Sequence, residues 1–227
     1  MHPVASILIP SRNRPEILKE TVRTFFSRAD DPSRVEVLVR LHESDTSSLS
    51  LVRRYPVRTV AGNDPGSYRD VYKYVNCLAA LAEGDWLWCA SDRNRVITKG
   101  WDTALARRDA EQCCMLYPGI VGFPAWRVPI VSRALYQVLG HVGLTPHCDC
   151  YIDALAGLIG ARKPVAIETV QVDCGYAAER NILATWEEYR SEAASRLFAI
   201  DKLKLEAACG ISLGAWVPRN APENPWA

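Results

Sequence analysis

Ala5-Ser6-Ile7-Leu8-Ile9-Pro10-Ser11-Arg12-Asn13-Arg14-Pro15 sets an unbroken apolar run against a polar turn bounded by two prolines. Ile7 to Ile9 carry no alternating polar side chain. They predict a strand over 5–9 buried on both faces, as in a parallel sheet covered by helices on either side. Pro10 lacks the N–H that would extend the ladder and ends the strand. Pro15 suits the first turn of a helix. Beyond it Ile17, Leu18, Val22 and Phe25 or Phe26 recur at helical spacing over 15–28.

The same alternation continues outward. Val35–Val39 reads as a second buried strand, followed by the polar loop 41–48, a short helix over 49–55 and a third strand over 57–60. The turn formers of 61–67 lead into a helix over 68–82, closed by Gly84 at a C-cap. Trp86–Ala90 is then a fourth buried strand running into Ser91-Asp92-Arg93-Asn94-Arg95. Strand and helix in strict succession predict an α/β fold of Rossmann-like type, a mostly parallel central sheet flanked by helices. Ligands of such sheets bind beyond the carboxyl ends of the strands. Here those ends are Ser11–Arg14, His42–Asp45 and Ser91–Arg95.

In the second half, 115–123 and 165–172 read as strands, and 132–139 and 150–159 as helices. A long amphipathic helix spans 186–209, with Glu187, Arg190, Glu192, Arg196 and Lys202 on its wet face. The expected organisation is a main domain over 1–180, a C-terminal helical extension over 181–217 packed on it, and a loose proline-containing tail over 218–227.

A chain of 227 residues buries roughly 70% of the surface its unfolded form exposes and needs no staple to hold a core. With 27 basic and 26 acidic residues the net charge is +1. That argues against nucleic-acid binding through bulk charge but leaves room for a local basic groove. No run approaches the ~20 apolar residues of a membrane span. The first ten residues lack a basic n-region and a cleavage site, so a cytoplasmic location is expected. Of eight cysteines, Cys148 and Cys150, with His147 and Cys113 or Cys114, are the one zinc-like grouping. A single intervening residue is too short for the usual paired hook, and buried free thiols are the expectation.

Ile7 to Pro15, Val35–Val39 with His42-Glu43-Ser44-Asp45, Asn76 with Ala79 and Ala80, Gly84-Asp85-Trp86-Leu87 and Gly100-Trp101-Asp102 together resemble the large inverting family 2 of GT-A glycosyltransferases. The resemblance covers roughly 5–175 and rests on order and spacing. It implies a nucleotide-sugar-dependent transferase, UDP-sugar being the first candidate donor. Pro10, Ser11, Arg12 and Arg14 would line the nucleotide pocket. His42, with Glu43 and Asp45 nearby, would stand where an acidic residue meets the base, and Lys73 and Asn76 would face the nucleotide from their helix. Ser91, Asp92 and Arg93 would meet the diphosphate.

The family's Asp-x-Asp, which holds a divalent ion against the diphosphate, is Asp92-Arg93-Asn94 here. Three readings stay open. Asp92 and Asn94 hold Mn2+ or Mg2+; Arg93 or Arg95 neutralises the leaving group instead; or the site binds without turnover. By the same resemblance the general base comes from Cys148-Asp149-Cys150-Tyr151-Ile152-Asp153, with Asp149 first and Asp153 second, and Asp173 replaces a late metal-binding histidine. A soluble acceptor is expected, one candidate being a hydroxymethylated base in DNA met by Arg12, Arg14, Arg53, Arg54 and Arg58. The competing class is a non-catalytic nucleotide-sugar or glycan-binding module on the same fold. A nucleotidyltransferase is disfavoured, because Pro10 to Pro15 contains no glycine for a phosphate loop.

Overall fold

The computed structural model describes residues 2–63, 68–122, 128–172 and 185–213. Its first half comprises β1 (Ala5–Pro10), α1 (Pro15–Ser27), β2 (Val35–His42), α2 (Thr46–Val52), β3 (Val57–Gly62), α3 (Val71–Leu81), β4 (Trp86–Cys89), β5 (Asn94–Val96) and α4 (Trp101–Ala106). The second half adds β6 (Met115–Val121), β7 (Ile130–Ser132), α5 (Arg133–Leu139), α6 (Cys148–Leu158), β8 (Arg162–Gln171), a helical segment at 185–189 (α7) and α8 (Glu192–Cys209).

The eight strands form one sheet in the order β3-β2-β1-β4-β7-β6-β8-β5. β3, β2, β1 and β4 are mutually parallel, as the strand–helix alternation predicts. β7 runs antiparallel to both β4 and β6, β6 and β8 are parallel, and β5 is antiparallel to β8. The sheet is therefore mixed in its second half.

The apolar runs are continuous because both faces are covered. Ile7, Ile9, Trp86 and Trp88 join one core with Leu18, Val22 and Phe25 of α1. Leu8 and Leu87, pointing the other way, join a second core with Leu78 of α3, Leu135 of α5 and Tyr151 and Leu155 of α6. Phe25, Trp88 and Trp101 meet edge to face at centroid distances of 5.1–5.6 Å in the first core. The Trp101 indole donates to the Phe25 carbonyl.

The sheet curls. β5 starts five residues after β4 ends but lies four strand positions away. In a flat sheet that is about 19 Å at ~4.8 Å per strand, more than five residues reach at ~3.5 Å each. Curling brings β5 back against α1, where Thr24 Oγ1 accepts from the Val96 N–H at 3.2 Å. The loop between β4 and β5 is thereby folded over the end of β1.

Several expectations are corrected. The short strands β5 and β7 and the helix α4 are elements that the sequence reading does not contain. α2 begins at Thr46 because Asp45 caps it. The helix expected over 186–209 breaks at 190–191, where the Ser191 side chain accepts from the Ala194 N–H and starts α8 afresh. Gly84 is no C-cap, since α3 ends at Leu81 with Ala82 extended. It is needed for close approach: a Cβ there would lie 2.6 Å from the Ser6 nitrogen, and the Gly84 N–H donates to Ser6 Oγ. Phe198 and Leu205 of α8 pack into the second core. Asp173, the end of the 115–123 strand, the expected boundary near 180 and the tail over 218–227 lie outside the described residues.

Candidate functional site

β1, β2 and β4 end at Pro10, His42 and Cys89 on one edge of the sheet. Asp92, three residues beyond β4, is buried with 4% of its surface exposed. Ser11 Oγ donates to its Oδ2 at 2.8 Å, Arg14 Nη1 lies 3.4 Å from its Oδ1, and Thr21 Oγ1 of α1 donates to its carbonyl at 2.6 Å. Burial pushes the Asp92 carboxyl above its ordinary range, opposed by the Ser11 hydrogen bond and the charges of Arg14 and Arg93. The β1–α1 turn and the β4–β5 loop are thus joined through one buried carboxylate.

The β2–α2 loop is tied to the same turn. Asn13 takes the left-handed conformation, φ 54°, which Asn tolerates better than most residues. Its N–H donates to Asp45 Oδ2 at 2.6 Å, while Asp45 Oδ1 accepts from the Ser48 N–H at 3.1 Å and caps α2. Both Asp45 oxygens therefore serve the scaffold. His42 Nδ1 contacts Ser44, and Glu43 is exposed with its N–H on the Gly62 carbonyl.

Asn76 and Lys73 of α3 do other work than expected. The Asn76 amide donates to the Gly143 carbonyl at 2.7 Å and accepts from the Val142 N–H at 2.9 Å, so it pins 142–143 to α3. Lys73 is exposed and paired with Asp70 at 2.7 Å, a bond that raises its pKa.

Of the two candidate bases, Asp149 sits in the first turn of α6, half-buried, with Oδ1 accepting from the Cys150 N–H at 2.9 Å. Burial and then the Asp149 charge push the Cys89 thiol up to about 12; Cys89, the last residue of β4, packs against the core that contains Cys150, the neighbour of Asp149. Asp153, one turn deeper, is 1% exposed with both oxygens 3.4 Å from Arg162 Nη1. The sheet edge takes Asp149; Asp153 is ion-paired. His147, which the sequence offers only within a zinc-like grouping with Cys148 and Cys150, is buried, stacked on Trp186 at 3.9 Å and held down to about 4 by burial.

No protein-family model and no curated protein sequence matches the chain. Solved structures do. The mannosyltransferase PcManGT from Pyrobaculum calidifontis, solved with GDP-Man and Mn2+, superposes with a TM-score of 0.61 at 13% identity, covering 93% of this chain and 76% of that one. S. aureus TarS 1-349 in complex with UDP-GlcNAc gives 0.63 at 14% identity, covering 89% and 72%. A longer TarS structure gives 0.56 at 13% identity, and this chain spans 43% of it. The chain has the GT-A fold.

A divalent ion is the cofactor this GT-A resemblance implies, and Asp92 and Asn94 do not offer it a pair of ligands. Asn94 is fully buried at the start of β5, and its Oδ1 accepts from both the N–H and the hydroxyl of Ser91, at 2.7 and 2.8 Å. Its Nδ2 has no partner among the described residues. Asp92 already meets Ser11 and a guanidinium. Among the contacts of Asp92 at this GT-A edge are a guanidinium and a hydroxyl rather than a second carboxylate. Arg93 lies in the β4–β5 loop, its N–H on Ser91 Oγ and its carbonyl accepting from the Val172 N–H, and Arg12 is exposed in the β1–α1 turn. No helix among the described residues is long and apolar enough to cross a membrane.

Proposed function

We propose that this GT-A chain is a glycosyltransferase that moves a sugar from a nucleotide-diphospho-sugar, UDP-sugars first, to an acceptor hydroxyl. The observation that carries the reading is the placement of buried Asp92, bound by Ser11 and Arg14, beyond the end of β4, whose Cys89 packs against the same core as Cys150, next to Asp149 in the first turn of α6. Donor-bound PcManGT and TarS support the donor class.

In this reading Asp149 takes the proton of the acceptor hydroxyl as its oxygen attacks the anomeric carbon. The bond from that carbon to the diphosphate oxygen breaks, and the diphosphate leaves with the electron pair. Arg12, Arg14 and Arg93 neutralise its developing charge, since guanidinium pairs with phosphate bidentately. Asp92 fixes Arg14 for that task. Attack opposite the leaving group inverts the anomeric centre.

A hydroxymethylated base in DNA remains the acceptor to test first; exposed Arg53 and Arg54, just before β3, supply cationic surface for a phosphate backbone, while Arg58 faces Glu36 and Glu83. A second reading, a nucleotide-sugar-binding module without turnover, is favoured by one observation: Asn94 spends its carbonyl on Ser91.

Nucleoside diphosphate release from a panel of UDP- and GDP-sugars, with and without hydroxymethylated DNA, separates the two. Release above the uncatalysed rate that falls in Asp149→Asn supports transfer. Donor binding without release by wild type leaves only the module.

A further inference from the structure

The transferase reading uses one member of a larger group. His147, Asp149 and Cys150 offer an imidazole nitrogen, a carboxylate oxygen and a thiol whose ligand atoms all lie within 4.8 Å of one another. His147 ends the approach to α6, and Asp149 and Cys150 fall in its first turn. The start of this one helix therefore gathers three residues of three donor types.

The surroundings are built rather than solvated. His147 and Cys150 are buried and Asp149 half-buried. The imidazole is clamped by the Trp186 ring stacked on it at 3.9 Å and by Tyr189 edge-on at 6.0 Å. Its Nε2 is 3.0 Å from Thr185 Oγ1. That contact leaves Nδ1 as the ring's ligand-capable nitrogen, in the way outer partners orient metal-bound imidazoles. Thr145 Oγ1, two residues before His147, and Trp186 Nε1, on its stacking partner, are buried with no hydrogen-bond partner among the described residues.

We propose that His147, Asp149 and Cys150 form a binding site for a borderline-soft divalent cation of the Zn2+ class, whose occupancy silences the enzyme by taking the Asp149 carboxylate. Nitrogen, sulfur and oxygen donors together suit Zn2+ and disfavour the hard ions Mn2+ and Mg2+. Tetrahedral bonds of 2.0–2.3 Å put ligand atoms about 3.3–3.8 Å apart, so side-chain rotation has about 1.5 Å or less to close. Three protein ligands leave a fourth position for water. On binding, the Cys150 S–H bond breaks, its proton goes to solvent, and the thiolate electron pair binds the ion. The silencing half rests on Asp149 being the base; the binding half does not.

The test is titration of the purified full chain with Co2+, without nucleotide sugar, read by the cobalt–thiolate charge-transfer band and the d–d bands. One Co2+ per chain is expected, with a thiolate band displaced by one equivalent of Zn2+. The band is lost in Cys150→Ser, survives in Cys209→Ser, and affinity falls about tenfold or more in His147→Gln. Asp149→Asn changes only a half-buried side chain and keeps the test open if Cys150→Ser fails to fold; it too should weaken Co2+ binding. Absence of the band in wild type, or a band unchanged in both Cys150→Ser and Asp149→Asn, overturns the site. Nucleoside diphosphate release, compared between chelator-treated and Zn2+-loaded protein, should fall on loading. Bound Zn2+ with unchanged release overturns the silencing. No release in either state refutes the transferase reading, while the Co2+ titration still decides the metal site.

Discussion

Ser11 Oγ donates a hydrogen bond to Asp92 Oδ2 at 2.8 Å across 81 positions of sequence, and this contact joins the turn after β1 to the loop after β4. Thr21 holds the Asp92 carbonyl from below, and Arg14 stands 3.4 Å from the other carboxylate oxygen. The three donors come from the β1–α1 turn and α1 alone, so the first 21 residues prepare the place where the fourth strand delivers its acid.

Arg14→Ala removes the guanidinium nearest that carboxylate. Loss of a charge-assisted contact worth about 1.5–3 kcal/mol predicts a roughly 10- to 150-fold rise in donor Kd by isothermal titration. Arg14→Lys should restore only part of it, because an ammonium cannot reproduce bidentate pairing. The Asp92 carboxyl, raised by burial and held down partly by Arg14, should titrate still higher in Arg14→Ala.

Asp149→Asn is expected to lower kcat by about 10^2–10^4, the usual worth of a general base, while donor Kd changes little. Asp153→Asn should behave in the opposite way. It breaks a half-buried contact to Arg162 and should cost about 1–3 kcal/mol in urea unfolding, with kcat of the folded fraction preserved.

Asp45→Ala removes a helix cap and the acceptor of the Asn13 N–H together. A lost cap costs about 1–2 kcal/mol, so the thermal midpoint should fall by a few degrees. Donor affinity should fall with it, because Asn13 sits between Arg12 and Arg14.

The Asp201 carboxyl governs acid stability. Burial raises its pKa, but the His141 imidazole 2.9 Å away and hydrogen bonds from Lys204 and Tyr151 outweigh this and leave it below the ordinary value. A folded value lower than the unfolded one means the unfolded chain binds more protons as pH drops past about 3.9. The stability Asp201 contributes is thus present above that pH and is lost as pH falls through the lower folded value. Urea unfolding at neutral pH and at successive steps below pH 4 should show this loss in wild type and a flatter dependence in Asp201→Asn. At neutral pH the variant should be less stable by about 3 kcal/mol, as for other broken buried charge networks.

The parallel half of the sheet was legible because its strands are buried on both faces: Ile7-Leu8-Ile9 admits no amphipathic alternative. β5 and β7 were not, since three residues each carry no period and their pairing to β8 and β4 is set far away in sequence. That also explains Asn94, which looks like the second half of a metal motif but is drawn inward when β5 pairs with Gln171. Asn76 and Asp45 fit a ligand pocket by position, yet their hydrogen bonds go to backbone 66 and 32 residues away. Around α6, spacing rules for zinc take Cys148 and Cys150 as a pair and find it too close. In the fold, Cys150 instead groups with His147 and Asp149, a choice made by the helical turn that sequence spacing alone does not express. No disulfide joins the seven described cysteines, of which Cys114 and Cys150 are buried and Cys77 and Cys209 exposed.

The most direct test of the account is the thermal midpoint of the purified chain against a panel of nucleotide-diphospho-sugars, each with Mn2+ and with chelator. A donor at 100 times its Kd adds about 2.7 kcal/mol, or roughly 5–10 °C for a chain of this size. The account predicts such a shift with at least one donor, none with the free sugar, persistence of the shift in chelator because Arg14 and its neighbours carry the diphosphate, and a smaller shift in Arg14→Ala. If no donor moves the midpoint in either condition, the sheet edge around Asp92 is not a nucleotide-sugar site.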